Sequence, residues 1–301
     1  MIVSFLNALL AFLLAPLFLS GLNRTKAFFA GRQGPPWLQP YRDLAKLLRK
    51  GAVYSRTTTW VFRAAPAVCV ATLSAAVLLV PFAGQPALVS FPLELVLLAY
   101  LLGLSRYAMM LAALDTGSAF EGMGASREAQ FSAMAEPALP LGLAALLFRT
   151  GQLSLSGAYG SISLETWSQA GPALLLVMAS LLVVFVTENA RVPVDDPATH
   201  LELTMIHEVM ILDHGGPDLA MLEYAAALKL WVLGSLIVGL VIPASGGLFL
   251  DEVLGLAGLV VLAGVVGAVE SSMARLRLLV VPRLLAGAGA LSVLALLLLT
   301  R

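Results

Sequence analysis

The sequence predicts an all-α integral membrane protein with eight transmembrane helices, and three observations carry that prediction. Of 301 residues, 59% are hydrophobic and 12% charged, with a mean hydropathy of +0.92, whereas soluble domains carry about a quarter charged residues. Apolar runs near the ~20 residues needed to cross a ~30 Å hydrocarbon core recur along the chain, bounded by charge or by Gly and Pro. Basic residues crowd into alternate connecting segments, as they do on the cytoplasmic side of membrane proteins.

The spans predicted in order are about 2–22, 61–82, 92–113, 137–149, 172–190, 224–243, 253–270 and 284–300, the fourth being short. No basic residue precedes the first run, and Arg24 and Lys26 follow it, so it reads as a retained helix with its N-terminus outside rather than a signal peptide. On that choice the inner segments hold Arg24, Lys26, Arg32, Arg42, Lys46, Arg49, Lys50, Arg56, Arg63, Arg127, Arg191, Arg275, Arg277 and Arg283, and the outer ones hold only Arg149 and Arg301. Both termini are therefore expected outside, in a single membrane domain covering 1–301 of the cell inner membrane, with the lipid bilayer as its medium. No internal repeat or separate soluble domain is visible.

Several functions are excluded at this level. Lys and Arg equal Asp and Glu at 18 each, so no charge surplus points to nucleic acid. The single Cys69 has no second thiol for a disulfide, an iron–sulfur cluster or a thiolate metal site. No Gly-rich phosphate loop and no Gly-x-Ser-x-Gly elbow is present.

In the first inner loop, Pro35, Pro36 and Pro40 precede "YRDLAKLLRK", where Leu44, Leu47 and Leu48 form an apolar face ringed by Arg42, Lys46, Arg49 and Lys50. That is the pattern of an interfacial helix. Plain positive-inside charge with snorkelling stems explains it too; the functional reading makes Arg42 and Lys46 part of a docking surface or the lip of a cavity.

A second polar segment, "TENARVPVDDPATHLELTMIHE" (187–208), interrupts the apolar chain. Asp196-Pro197 suits a helix start and Gly215-Gly216-Pro217 a stop, predicting a non-spanning inner helix over about 197–213. His200, His207 and His214 recur every seven residues, which is about 10.5 Å along an axis, too far for one metal ion, whose ligands sit at i, i+3 or i+4. A histidine stripe facing a partner protein is expected instead, with His200, His207 and Asp195 as docking residues.

Ionisable residues inside spans cost about 2.5–3.5 kcal/mol each on insertion scales and usually serve transport. Arg106, Glu136, Glu188, Lys229 and Glu270 all fall in the predicted inner half of the bundle, whereas Glu94 is near the outer end of the third span. Together with Glu202 and Arg191 they are expected to line one polar proton route. Taken singly, Glu136 and Glu270 read rather as helix-end residues reaching the interface.

The stretch "ENARVPVDDP" (188–197) resembles the Glu-x-x-Arg-x-Pro-x-Asp signature of the NADH dehydrogenase subunit 1 family, carried here by Glu188, Arg191, Pro193 and Asp195. "GPPWLQPYRDLAKLLRKG" and "ESSMARLRLLVVPRLL" resemble that family's first and seventh-to-eighth loops, and the likeness runs end to end. The continuation with His200, Glu202, His207 and Asp213-His214 is similar to the hydrogenase branch, that of formate hydrogenlyase subunit 4 and energy-converting [NiFe]-hydrogenase membrane subunits. The resemblance implies a chain without redox centres of its own. Iron–sulfur and nickel–iron centres would sit on partners similar to hydrogenase large and small subunits, docked on loops 23–60, 115–136 and 191–223. Antiporter-like membrane subunits would lie beside the chain, and redox change would drive protons or sodium ions. In the quinone-reducing branch the same cavity would hold a membrane quinone, which makes a respiratory NADH dehydrogenase subunit the competing expectation; a stand-alone ion transporter is a third.

Overall fold

The computed structural model describes residues 1–195 and 205–299. Among them are twelve α-helices: α1 (Ile2–Phe29), α2 (Gln39–Leu48), α3 (Trp60–Leu79), α4 (Glu94–Asp115), α5 (Ala119–Ala135), α6 (Ala138–Thr150), α7 (Leu155–Gly160), α8 (Leu164–Glu188), α9 (His207–Met210), α10 (Pro217–Val241), α11 (Leu248–Ser272) and α12 (Val281–Leu299). Eight helical stretches are long and apolar enough to span a membrane, with α5 and α6 counting as one 32-residue stretch, Ala119–Thr150. The eight-span fold is thus a multi-pass membrane bundle.

Local chemistry sets the helix ends. Thr59 caps α3, and the Asp115 carboxylate at the end of α4 accepts from the Thr59 amide at 2.7 Å and from its hydroxyl. Ser163 and Thr166 form a reciprocal capping box on α8, which satisfies two otherwise orphaned amides. The punctuation at 215–217 starts α10: Gly216 takes φ +56°, and a Cβ there would lie 2.7 Å from the Gly51 carbonyl oxygen, so only glycine fits. In α1, Pro16 removes the amide that would bond the Phe12 carbonyl, and the Tyr224 hydroxyl of α10 donates to that oxygen at 2.9 Å.

Helix α10 is central, with 72% of its most apolar window buried against 28% for α12, because it is apolar on every side and can be surrounded. It packs on α1, α3, α8 and α11. A second lobe joins α6, α8 and α12 through hydroxyls. Ser180 Oγ donates to the Ala288 carbonyl at 2.9 Å, Ser292 Oγ to the Ala138 carbonyl at 2.9 Å, and the two hydroxyls lie 2.7 Å apart. Small residues allow that approach; a Cβ on Gly142 would be 3.2 Å from Ser292 Oγ.

Two sequence expectations change. The 115–136 segment is not a loop but α5, and the fourth span is this helix continued into α6 across Pro137. Gly, Ser and Glu in 117–128 mask the apolar period there, because the face of α5 that packs on protein carries Glu121, Gly124 and Glu128. The continuous helix over 197–213 is also absent where it can be followed: Met205 and Ile206 are not helical, α9 has four residues, and a turn follows. The first, fifth and sixth spans extend past the predicted limits to 29, 164 and 217, carrying Arg24 and Lys26 within α1.

Removing the serine junction should loosen this second lobe. Ser292→Ala deletes a donor to Ala138 and the contact with Ser180, so about 0.6–1.7 kcal/mol of stability should be lost. Unfolding in mixed detergent micelles should detect this, with Ser180→Ala/Ser292→Ala costing less than the sum of the single changes.

Candidate functional site

The ionisable residues inside the bundle converge on Arg106 of α4. Its guanidinium is buried, with Nη2 at 2.5 Å from Glu188 Oε1, Nη1 at 2.6 Å from Glu136 Oε1 and Nε at 3.4 Å from Glu128 Oε1. A planar fork of five donors suits several carboxylates at once. Lys229 of α10 lies 3.8 Å from the other Glu188 oxygen. Glu188 ends α8, so its carboxylate sits between two cations, one from each neighbouring helix.

A second cluster forms around Glu270 near the end of α11, with Lys26 at 3.6 Å and Arg191 at 3.7 Å. Asp195 is buried; it lies 3.3 Å from Arg275 and accepts from the Ile206 and His207 amides at 3.2 and 3.1 Å. The signature residues of the 188–195 segment therefore reach three different parts of the bundle.

Beside the clusters lies a cavity of about 700 Å³, lined by apolar residues such as Leu19, Leu73 and Leu222 and by Glu188, Arg191, His207 and Lys229. Cys69, whose thiol donates to the Ser105 carbonyl at 3.3 Å, also lines it.

Among the described residues, His207 and His214 do not form a surface stripe. His207 Nδ1 is 3.5 Å from Glu128 Oε2, and burial pushes its imidazole down to about 4. His214 stacks on Phe62 with ring centroids 3.9 Å apart, and neither ring nitrogen has a hydrogen-bond partner; burial lowers its proton affinity as well. Asp195 likewise faces inward at 2% exposure, whereas the His207 side chain keeps 16%. The reason is physical: the 205–214 segment tucks beneath α5, where a Cβ on Gly124 would meet Ile206 O at 2.9 Å. His200 and Glu202 lie outside the described residues. Arg42 and Lys46 are exposed on α2.

Of the expected route, Arg106, Glu136, Glu188 and Lys229 meet in one cluster, and Arg191 and Glu270 in the other. Glu94 takes no part: it is buried and accepts from the Phe91 and Ser156 amides at 2.8 and 3.2 Å, tying down a loop. Glu128 and Lys26 escaped the sequence reading. The signal for Glu128 was its seven-residue spacing from Glu121, which is also buried, on a helix that polar residues disguised.

This arrangement, buried charge networks at the end of a polytopic bundle beside a large cavity, defines a multi-pass membrane protein with a charged interior. The chain belongs to the NADH dehydrogenase family, whose model matches residues 3–300. It is 34% identical over 291 residues to formate hydrogenlyase subunit 4 of Escherichia coli (strain K12), covering 93% of this chain and 92% of that one. Hydrogenase-4 component C of the same organism is 30% identical, covering 79% and 74%. A subunit of the NADH-quinone oxidoreductase of Burkholderia vietnamiensis (strain G4 / LMG 22486) is 26% identical, covering 68% and 60%. In fold it is similar to a chain of the membrane-bound sulfane sulfur reductase, an archaeal respiratory membrane complex, with a TM-score of 0.80 at 19% identity over 99% of this chain and 98% of that chain.

The partly buried His207 makes stability depend on pH. Its folded value of about 4 lies below the ordinary 6.5, so the unfolded chain binds a proton that the folded chain refuses, and stability falls as pH drops from about 6.5 towards 4. His207→Gln should remove that part of the slope, read as a smaller difference between the thermal midpoints at pH 7.5 and pH 5 than in the wild type.

Proposed function

We propose that this chain is the non-redox membrane subunit of an energy-converting hydrogenase or formate hydrogenlyase-type complex, coupling electron transfer in a docked cytoplasmic [NiFe] and iron–sulfur module to proton (or sodium) translocation. The observation that carries the reading is Glu188, a buried carboxylate held between Arg106 and Lys229 at the edge of the large cavity. Withdrawing either cation leaves a buried anion that is relieved by taking up a proton. A small displacement at the module's docking surface thereby becomes a proton uptake, and restoring the pair expels the proton.

The chain's donor set fits no metal cluster, since Cys69 is its only thiol, so the electron carriers belong on partners. Exposed Arg42 and Lys46 on α2 supply a basic face for them on the cytoplasmic side of the inner membrane, with the N-terminus outside. Glu136 supports an antiporter-like membrane partner: its side chain is 52% exposed although it pairs with Arg106, about 18 Å down the third span from Glu94, a depth at which lipid cannot satisfy a carboxylate. The reading as a quinone-chamber subunit is favoured by the cavity itself, whose volume and mixed lining suit a ring-headed lipid. Leu19, Leu73 and Leu222 would hold the tail, and His207 and Lys229 would donate to the head. A photoreactive quinone analogue that labels residues lining this cavity would support that second reading.

Orientation is tested by reporter fusions: those at 86, 160 and 247 should be external and those at 53 and 210 cytoplasmic. For the mechanism, Glu188→Gln keeps shape and removes the titratable group. In sealed vesicles the complex should assemble but lose proton uptake by about tenfold or more relative to wild type, a loss typical of a removed general acid–base group. Unchanged coupling would reduce the cluster to structural ion pairs.

A further inference from the structure

The charged clusters occupy one end of the bundle, but a smaller polar group lies at the other. Ser4 and Asn7, in the first two turns of α1, and Ser235 of α10 are buried and line a cavity of about 20 Å³ beside Phe82 and Trp231. Ser235 Oγ, in a residue 1% exposed, has no hydrogen-bond partner. Asn7 Nδ2 donates to the Phe82 carbonyl at 3.3 Å, which leaves the amide oxygen of Asn7 to serve the cavity. A water needs about 10–15 Å³ and two to four polar partners, and the pocket offers both. An apolar side chain at any of the three positions would have filled this space without burying a hydroxyl or an amide.

Glu252 lies one turn into α11, against the Asn7 side chain. Both its oxygens are buried without a hydrogen-bond partner. Its neighbour Asp251 has an evident structural task, accepting from Ser245 Oγ and N at 2.6 and 2.8 Å and from the Gly246 amide at 3.2 Å. Glu252 has no such set of donors: the Asn7 side chain lies against it without a full hydrogen bond, and a buried carboxylate so placed is completed by a proton or by water. Along α11, Glu252 and Glu270 are about 27 Å apart at 1.5 Å per residue, close to the ~30 Å of the hydrocarbon core. Along α10, Ser235 follows Lys229 by about 9 Å. Two helices therefore join the small pocket to the charged end.

We propose that this pocket is a water-binding site and that Glu252, reached through Asn7, is the titratable group at the far end of a proton route whose near end is the Arg106–Glu188–Lys229 cluster. The water site stands on its own geometry; the role of Glu252 rests on the proton reading of that cluster. In the transfer, a protonated water at Ser4, Asn7 and Ser235 loses an O–H bond as the Glu252 carboxylate gains one, and the acid then returns that proton to water at the far surface. Charge and atoms balance without an oxidant or reductant.

The experiment uses the assembled complex in sealed vesicles, with Cys69→Ser as background so that the introduced thiol is the only one on this chain, whose labelling is read on the separated subunit. Silver ion, a thiol reagent small enough for a water path, is applied to each face in turn against Ser235→Cys and against Leu228→Cys, a fully buried apolar position on the same helix. Accessible thiols react much faster than buried ones, so Ser235→Cys should be blocked from the far face at least about tenfold faster than Leu228→Cys; equal rates from that face overturn the water site. In parallel, Glu252→Gln should lower proton uptake about tenfold with the complex intact, as loss of an acid–base group does. Wild-type uptake in Glu252→Gln alongside loss in Glu188→Gln overturns the role of Glu252 and leaves the near-end cluster standing. Wild-type uptake in both removes the proton reading, and the silver rates still decide the water site.

Discussion

A charge in a low-dielectric interior must be matched, and the packing of half the bundle follows from matching Arg106. One guanidinium draws in Glu188 from α8, Glu136 from the α5–α6 junction and Glu128 from α5. Lys229 then brings α10 to the same point. Breaking such a group by removing one partner typically costs about 3–5 kcal/mol, more than any single apolar contact here contributes. The helices that carry these side chains are consequently fixed in rotation as well as position.

The two clusters are complementary. Three carboxyl groups stand around Arg106 and Lys229, one more than the cations there, whereas Lys26 and Arg191 share Glu270 alone. Arg191 and Glu188 both border the large cavity, so the imbalance is expressed across it. The two clusters are unequal in opposite senses, and a proton added to the first alters the field felt by the second. An arrangement built for packing alone gains nothing from splitting its charges in this way.

How legible this was depends on what each residue answers to. Spans that face lipid or apolar neighbours, such as α3 and α4, show in the sequence because the hydrophobic period has nothing to compete with. Arg106, Glu188 and Lys229 were legible because charge in an apolar run is conspicuous. Helix α5 was not, since a helix whose packed face carries its own acids reads as a loop. The histidine repeat misled for a related reason: seven-residue spacing describes a face only where the backbone is helical, and at Met205 and Ile206 it is not. Burial of His214 against Phe62 depends on a contact 152 residues away along the chain, which no local pattern encodes.

The signature segment itself shows why its spacing is tight. Glu188 is the last helical residue of α8, and from there the chain turns within a few residues: the Arg191 amide donates to the Val186 carbonyl at 2.9 Å, and those of Val194 and Asp195 donate to the Arg191 carbonyl. The turn sends Glu188 to α4, Arg191 to α11 and Asp195 to Arg275, while the Pro193 carbonyl accepts from the Leu276 amide at 2.9 Å. Asp195 also holds the amides that begin the return to α9. Three charged side chains on one short turn thus bind three separate elements, and an inserted residue would change the direction of at least one of them. Because the same turn borders the cavity, any force that shifts it is felt at Arg106 and at Glu270 together. The coupling between the two clusters is therefore mechanical as well as electrostatic.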